Sequence, residues 1–168
     1  FDEQKQTKID HAASNIYIFT PNGDLRELKN GATILDFAFE IHTDVGSKCV
    51  GGKINGKIHP IRYQLKNGDK VEIITAKNQR PNPDWLNVVV TSKAKSRIAR
   101  ALREQKFKEA EIGKDILYRK FKNWKIELNE RELNKIIKFY GFKLPVDLYF
   151  NIATGKIDLQ DVKQIFKT

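Results

Sequence analysis

The chain has 168 residues, 31 Lys+Arg against 21 Asp+Glu for a formal net charge of +10, and 40% hydrophobic residues that include 10 Phe and 5 Tyr. That apolar content excludes a disordered chain, and the single cysteine, Cys49, excludes an internal disulfide and a cysteine zinc cluster. No apolar run approaches the roughly 18 residues of a membrane span and the N-terminus is unlike a signal peptide, so a cytoplasmic, membrane-free protein is expected. The absence of any methionine leads us to expect a piece excised from something longer.

Residues 1–15 are polar without apolar periodicity and predict a tail or linker. Ile16 to Thr20 predicts a strand, Pro21-Asn22-Gly23-Asp24 a turn, and Leu25 to Leu28 a returning strand. Thr33 with Asp36 three residues on marks a helix start, followed by Ile34, Leu35, Phe37, Ala38 and Ile41 at helical spacing. The helix is expected to fade near His42, ahead of a glycine-containing loop, Thr43-Asp44-Val45-Gly46. Short strands follow around Cys49–Ile54 and Ile58–Ile61, then a turn at Lys66–Asp69 and a final strand at Val71–Thr75. A hairpin, a crossing helix and a return to the sheet predict an α+β chain that opens with a β-grasp, ubiquitin-like domain over 16–77.

Residues 78–90, with two prolines and no period, predict a linker. An all-helical domain is expected over 91–168. Thr91 or Ser92 caps a first helix striped by Ala94, Ile98, Ala101 and Leu102, and Ile112, Ile116, Leu117 and Phe121 mark a second. Asn129 with Glu132 caps a third that Gly141 ends, Pro145 opens a fourth that closes at Thr154-Gly155, and Asp158 begins a last. The positive charge is concentrated here: residues 91–125 hold 12 basic and 4 acidic side chains, whereas residues 1–80 hold 12 and 10. A clustered field of this sign points to a polyanion, with nucleic acid ahead of a merely solvated helix face. Lys93, Lys95, Arg97, Arg100 and Arg103 fan across the side opposite the stripe and are the expected phosphate contacts.

Enzyme signatures are missing. His11, His42 and His59 have no histidine or carboxylate partner at helical metal-ligand spacing, so no metal, cofactor or catalytic residue is expected in this segment. Gly51 to Lys57 spells G-x-x-x-x-G-K, but Ile58 stands where a phosphate-binding loop needs Ser or Thr, and His59-Pro60 where a helix should begin. Those glycines read as a turn between strands. Cys49 reads as a small buried hydrophobe. On the residues alone, His42 reads as a cap at a helix end, favoured by the dipole, with a binding role as the alternative.

Three stretches carry a resemblance: Tyr17 to Asp24, Asp36 to Gly46 and Asn67 to Thr75. They resemble the TGS domain, shared by threonyl-tRNA synthetases, certain GTPases and SpoT proteins. Pro83-Asp84-Trp85-Leu86 and Thr91 to Ile98 then resemble the segment after TGS in long RelA/SpoT homologues, the (p)ppGpp synthetase/hydrolase family. The resemblance implies a non-catalytic regulatory segment of a parent GTP pyrophosphokinase or (p)ppGpp 3′-pyrophosphohydrolase. That segment senses the 3′ CCA end of deacylated tRNA on the ribosome and relays the signal to the catalytic half of its own chain. The histidine of the Ile-His-x-x-x-Gly stretch, His42, is then the residue at the tRNA terminus, with Thr43, Asp44 and Lys48 beside it. Ser47 departs from the Asn or His common there. Two alternatives stand beside tRNA and ribosomal RNA as partners: acyl carrier protein, which is acidic, and an autoinhibitory contact with the catalytic domains.

Overall fold

The computed structural model describes residues 14–167. Of the expected tail, residues 1–13 therefore lie outside the described residues, and Asn15 already begins a strand. The chain divides into two compact units, one ending at Leu102 and the other starting at Arg103.

In the first unit, β1 (Asn15–Phe19) and β2 (Leu25–Lys29) form an antiparallel hairpin in which Phe19 faces Leu25 and Asn15 faces Lys29. A second sheet has β3 (Cys49–Ile54) between β4 (Lys57–His59) and β5 (Val71–Thr75), both antiparallel to it. A parallel bridge between Phe19 and Lys70 joins β1 to the start of β5, and the Phe19 N–H donates to the Asp69 carbonyl at 2.9 Å. The strand sequence β2-β1-β5-β3-β4 with a parallel centre is the expected β-grasp. Helix α1 (Ile34–Ile41) buries Ile34, Leu35, Phe37, Ala38 and Phe39 completely, together with Ile16, Ile18, Ile54 and Val71 from the strands.

Two details depart from expectation here. The expected strand over Cys49–Ile54 forms as β3, but Gly51, read with Gly56 as a turn, lies inside it, and the turn to β4 is made by Asn55 and Gly56, both at positive φ (51° and 90°). The expected loop after His42 is a short helix, α2 (Thr43–Ser47), with Gly46 inside it. Gly46 answers a packing demand and breaks nothing, since a Cβ there would stand 2.4 Å from the Phe39 ring.

Residues 78–90 run over the same core. Pro83–Asn87 makes a 3-10 turn, and Trp85, Val88 and Val89 are buried with the β-grasp residues. An irregular segment leaves no period in the sequence however many apolar groups it buries.

The two helices expected between 91 and 125 are one, α3 (Ser92–Asn123). Nothing between them stops a helix, because Gly113 costs only about 1 kcal/mol in helix propensity. Its place has a reason: a Cβ there would come within 1.8 Å of the Tyr149 carbonyl oxygen. The rest of the second unit follows its caps. Asn129 accepts from the Arg131 and Glu132 N–H groups to open α4 (Glu130–Tyr140), and Gly141 closes it in the left-handed conformation. Pro145 opens α5 (Pro145–Ala153) and Asp158 caps α6 (Leu159–Ile165). Leu117, Phe121, Ile136, Leu148 and Val162 are the buried centre of this unit.

Candidate nucleic-acid interface

The geometry around His42 is built from both ends of α1. At its start, Thr33 and Asp36 form a capping box: the Asp36 N–H donates to Thr33 Oγ1 and the Thr33 N–H to Asp36 Oδ2 at 2.8 Å. Asp36 is only 1% exposed. Its carboxylate also accepts from the Val90 N–H at 3.1 Å, the Thr91 N–H at 3.0 Å and the Thr91 hydroxyl at 2.8 Å. The Thr91 hydroxyl in turn accepts from the Ala94 N–H at 3.2 Å, capping α3. A buried carboxylate is tolerable only when its lone pairs meet donors, and here three residues supply them. One side chain thus ties the start of α1 to the start of α3.

At the other end of α1, Arg97 donates to the Phe39 carbonyl and Lys93 pairs with Glu40 at 3.3 Å. The Phe39 ring meets Trp85 edge-on, centroids 6.3 Å apart. His42 then turns the chain. Its extended backbone (φ −167°, ψ 148°) ends α1, and its Nδ1 accepts from the Asp44 N–H at 3.1 Å to cap α2. His42 therefore caps the end of α1 as expected, through its backbone N–H on the Ala38 carbonyl, while its ring serves the N-terminus of the next helix as an acceptor, which the sequence pattern does not foretell. A neutral ring that accepts at Nδ1 carries its proton on Nε2, which is left to donate outward. The side chain is 65% exposed.

Around it, Thr43 is half-buried, while the Asp44 carboxylate is exposed and lies 3.8 Å from Nδ1. Lys48 is exposed at the far end of α2, its N–H donating to the Asp44 carbonyl at 3.3 Å. Six residues of helical rise separate His42 from Lys48 by about 9 Å along the axis. Cys49 follows fully buried, its thiol donating to the Gly51 carbonyl at 3.5 Å, and burial pushes that thiol up to about 11.

The expected basic face is divided. Lys93, Lys95 and Arg100 are exposed, but Arg97 is half-buried on the Phe39 carbonyl, contrary to its expected solvent-facing position. Helical spacing assigned it to the polar side, and the carbonyl it serves lies 58 residues away in sequence. Arg103 is exposed and belongs to the second unit. Asp36 was legible as a helix-start residue, and nothing in the sequence announced its hold on Val90 and Thr91. Among the described residues no three His, Cys, Asp or Glu side chains gather as a metal-holding group, and His59 lies against the Tyr63 ring at 4.1 Å. No helix of the described residues is long and apolar enough to cross a membrane.

A model of the TGS domain matches residues 16–75, and a model of the RelA/SpoT AH domain matches residues 101–165. The chain carries the TGS and AH domains of the RelA/SpoT family. These are regulatory-region domains. The GTP pyrophosphokinase of Myxococcus xanthus is 40% identical to this chain over 160 residues, which is 92% of the chain and 21% of that protein. That of Escherichia coli K12 is 41% identical over 152 residues, 88% of the chain and 20% of the protein. The guanosine-3′,5′-bis(diphosphate) 3′-pyrophosphohydrolase of Aquifex aeolicus is 40% identical over 154 residues, 90% and 22% respectively. The chain thus spans about a fifth of the length of the curated relatives it matches. His42, Thr43, Asp44 and Lys48 all fall within the TGS domain, as do α1 and α2.

Proposed function

We propose that the TGS–AH segment is the sensing part of a (p)ppGpp synthetase/hydrolase, and that its TGS domain reads the 3′ CCA end of deacylated tRNA on the ribosome. The observation that carries this is the His42 ring, exposed, with Nδ1 engaged by the Asp44 N–H. Nε2–H then donates to a terminal ribose oxygen, and the Asp44 carboxylate accepts from a ribose hydroxyl. An aminoacyl ester on that ribose removes a donor and adds bulk, so a charged tRNA is rejected. Lys48 holds the adjoining phosphate as a point charge. Lys95 and Arg100, both exposed, and separately Arg103 in the AH domain are the proposed sequence-independent phosphate contacts. The segment itself supplies recognition; the chemistry belongs to catalytic domains of the parent chain.

The test is binding of this chain to an RNA hairpin ending in single-stranded CCA, with a free or an aminoacylated 3′ end. The free end is expected to bind at least about tenfold tighter, a difference of about 1.4 kcal/mol. His42→Glu, which sets a carboxylate against the phosphate chain, is expected to abolish binding in a folded protein. Equal affinity for the two ends, or wild-type binding by His42→Glu, overturns the reading. Dependence on a phosphopantetheine-bearing acyl carrier protein in place of RNA is the competing outcome.

A further inference from the structure

The last turn of α1 contains no basic residue of its own, although helix C-termini leave carbonyls unpaired and favour a nearby cation. The His42 N–H donates to the Ala38 carbonyl, so the Phe39 carbonyl is the next one without an intrahelical donor. Arg97 supplies that donor from α3, and Lys93 adds its pair to Glu40 in the same turn of α1. Both cations stand in the first two turns of α3, the positive end of that helix, where charge of their sign is disfavoured unless something compensates it. The compensation is the negative end of α1. Phe39 itself is fixed from two further sides, by the Trp85 ring and by Gly46 of α2.

We infer that Arg97, assisted by Lys93, is a positioning residue for His42. Through the Phe39 carbonyl it holds the corner on which the imidazole stands, and the first turns of α3 splint the reading tip. This rests on the proposed role of His42, but it concerns geometry that exists without RNA. Asp36 fixes the near end of the same arrangement through Val90 and Thr91, so α1 is held by α3 and its lead-in at both ends.

Two measurements on the 168-residue chain separate this from a phosphate contact. In the first, the CCA-ended hairpin is titrated over a salt series with wild type, Arg97→Gln, His42→Ala and the double variant. Positioning predicts that Arg97→Gln weakens binding with an unchanged salt slope, and weakens it no further once His42 is Ala. A slope lowered by about 0.7–0.9, with an effect that adds fully to His42→Ala, overturns it. In the second, without RNA, NMR follows the His42 ring nitrogens and the exchange of the Asp44 amide. Arg97→Gln is expected to speed that exchange about tenfold, the scale of one lost hydrogen bond, and to shift the ring signals away from a single tautomer. Lys57→Gln, on β4, serves as the control and is expected to change neither. Unaltered exchange and ring signals in Arg97→Gln overturn the inference. Should wild type fail to bind the hairpin, the proposed function falls and the NMR measurement still decides this one. Should Arg97→Gln fail to fold, Lys93→Gln is read in the same way with a smaller expected factor, about two to three, and no change in it counts against the inference.

Discussion

The region ending at Leu102 and the region starting at Arg103 are organised by different kinds of contact. The first has a buried carboxylate, Asp36, whose partners Val90 and Thr91 lie 54 and 55 residues away, and an arginine fixed to the Phe39 carbonyl. The second is organised by local caps, Asn129, Gly141 and Asp158, around an apolar centre. Its charged contacts are pairwise and half-buried, as in the Lys106–Asp147 pair at 2.6 Å and the Lys163 ammonium 5.5 Å from the Trp124 ring. Buried polar contacts admit one geometry, which suits the role proposed for the first region, holding the His42 imidazole in a defined direction. Single pairs that keep part of their solvent contribute about 1 kcal/mol each and leave packing to decide the fold.

Loss of the Asp36 carboxylate should have the largest effect. Asp36→Ala strips donors on Thr33, Val90 and Thr91 of their acceptor, and is expected to cost about 3–5 kcal/mol. Urea unfolding followed at Trp85 checks this, and a loss under about 1 kcal/mol would dissolve the contrast. Alkaline pH comes next. Burial raises the Cys49 thiol from its ordinary 9.0 to about 11, so between those values the unfolded chain releases a proton that the folded chain keeps. Stability is therefore unaffected below about pH 9 and falls by about 2–3 kcal/mol as the pH climbs to about 11. Cys49→Ala should flatten that slope at Trp85. Tyr140 and Tyr149 give the second region the same sign. Both are raised, first by burial, then by Asp161 and Asp158 around Tyr140 and by Tyr118 and Glu111 around Tyr149.

Gly113→Ala sharpens the comparison from the other side. Helix propensity alone forecasts a gain of about 1 kcal/mol. The Tyr149 carbonyl stands where the new methyl would go, so a net loss of about 1–3 kcal/mol is expected, read at Trp124. A gain would mean that α3 and α5 separate at little cost.

Much of this molecule was legible before its structure. The strands, the Thr33–Asp36 helix start and the caps of α4, α5 and α6 are short-range patterns of period, turn residue and cap, and they emerged at nearly their expected positions. His42 was legible as a residue at a helix end. Its direction was not, because that depends on a hydrogen bond to the Asp44 amide, which exists only once α2 has formed.

The sequence by itself determined the α+β order, the concentration of positive charge in 91–125 and the candidate residues. Tertiary structure decided which of those cations anchor another helix. Arg97 and Arg100 look alike three residues apart on one helix, and only the packing of α3 on α1 directs the first to a carbonyl. It likewise turned a proline-punctuated stretch into core, through Trp85, and made a glycine in mid-helix the contact point with Tyr149. Such contacts join residues tens of positions apart. No local pattern records them, because the partner's distance in the chain is set by topology and not by period.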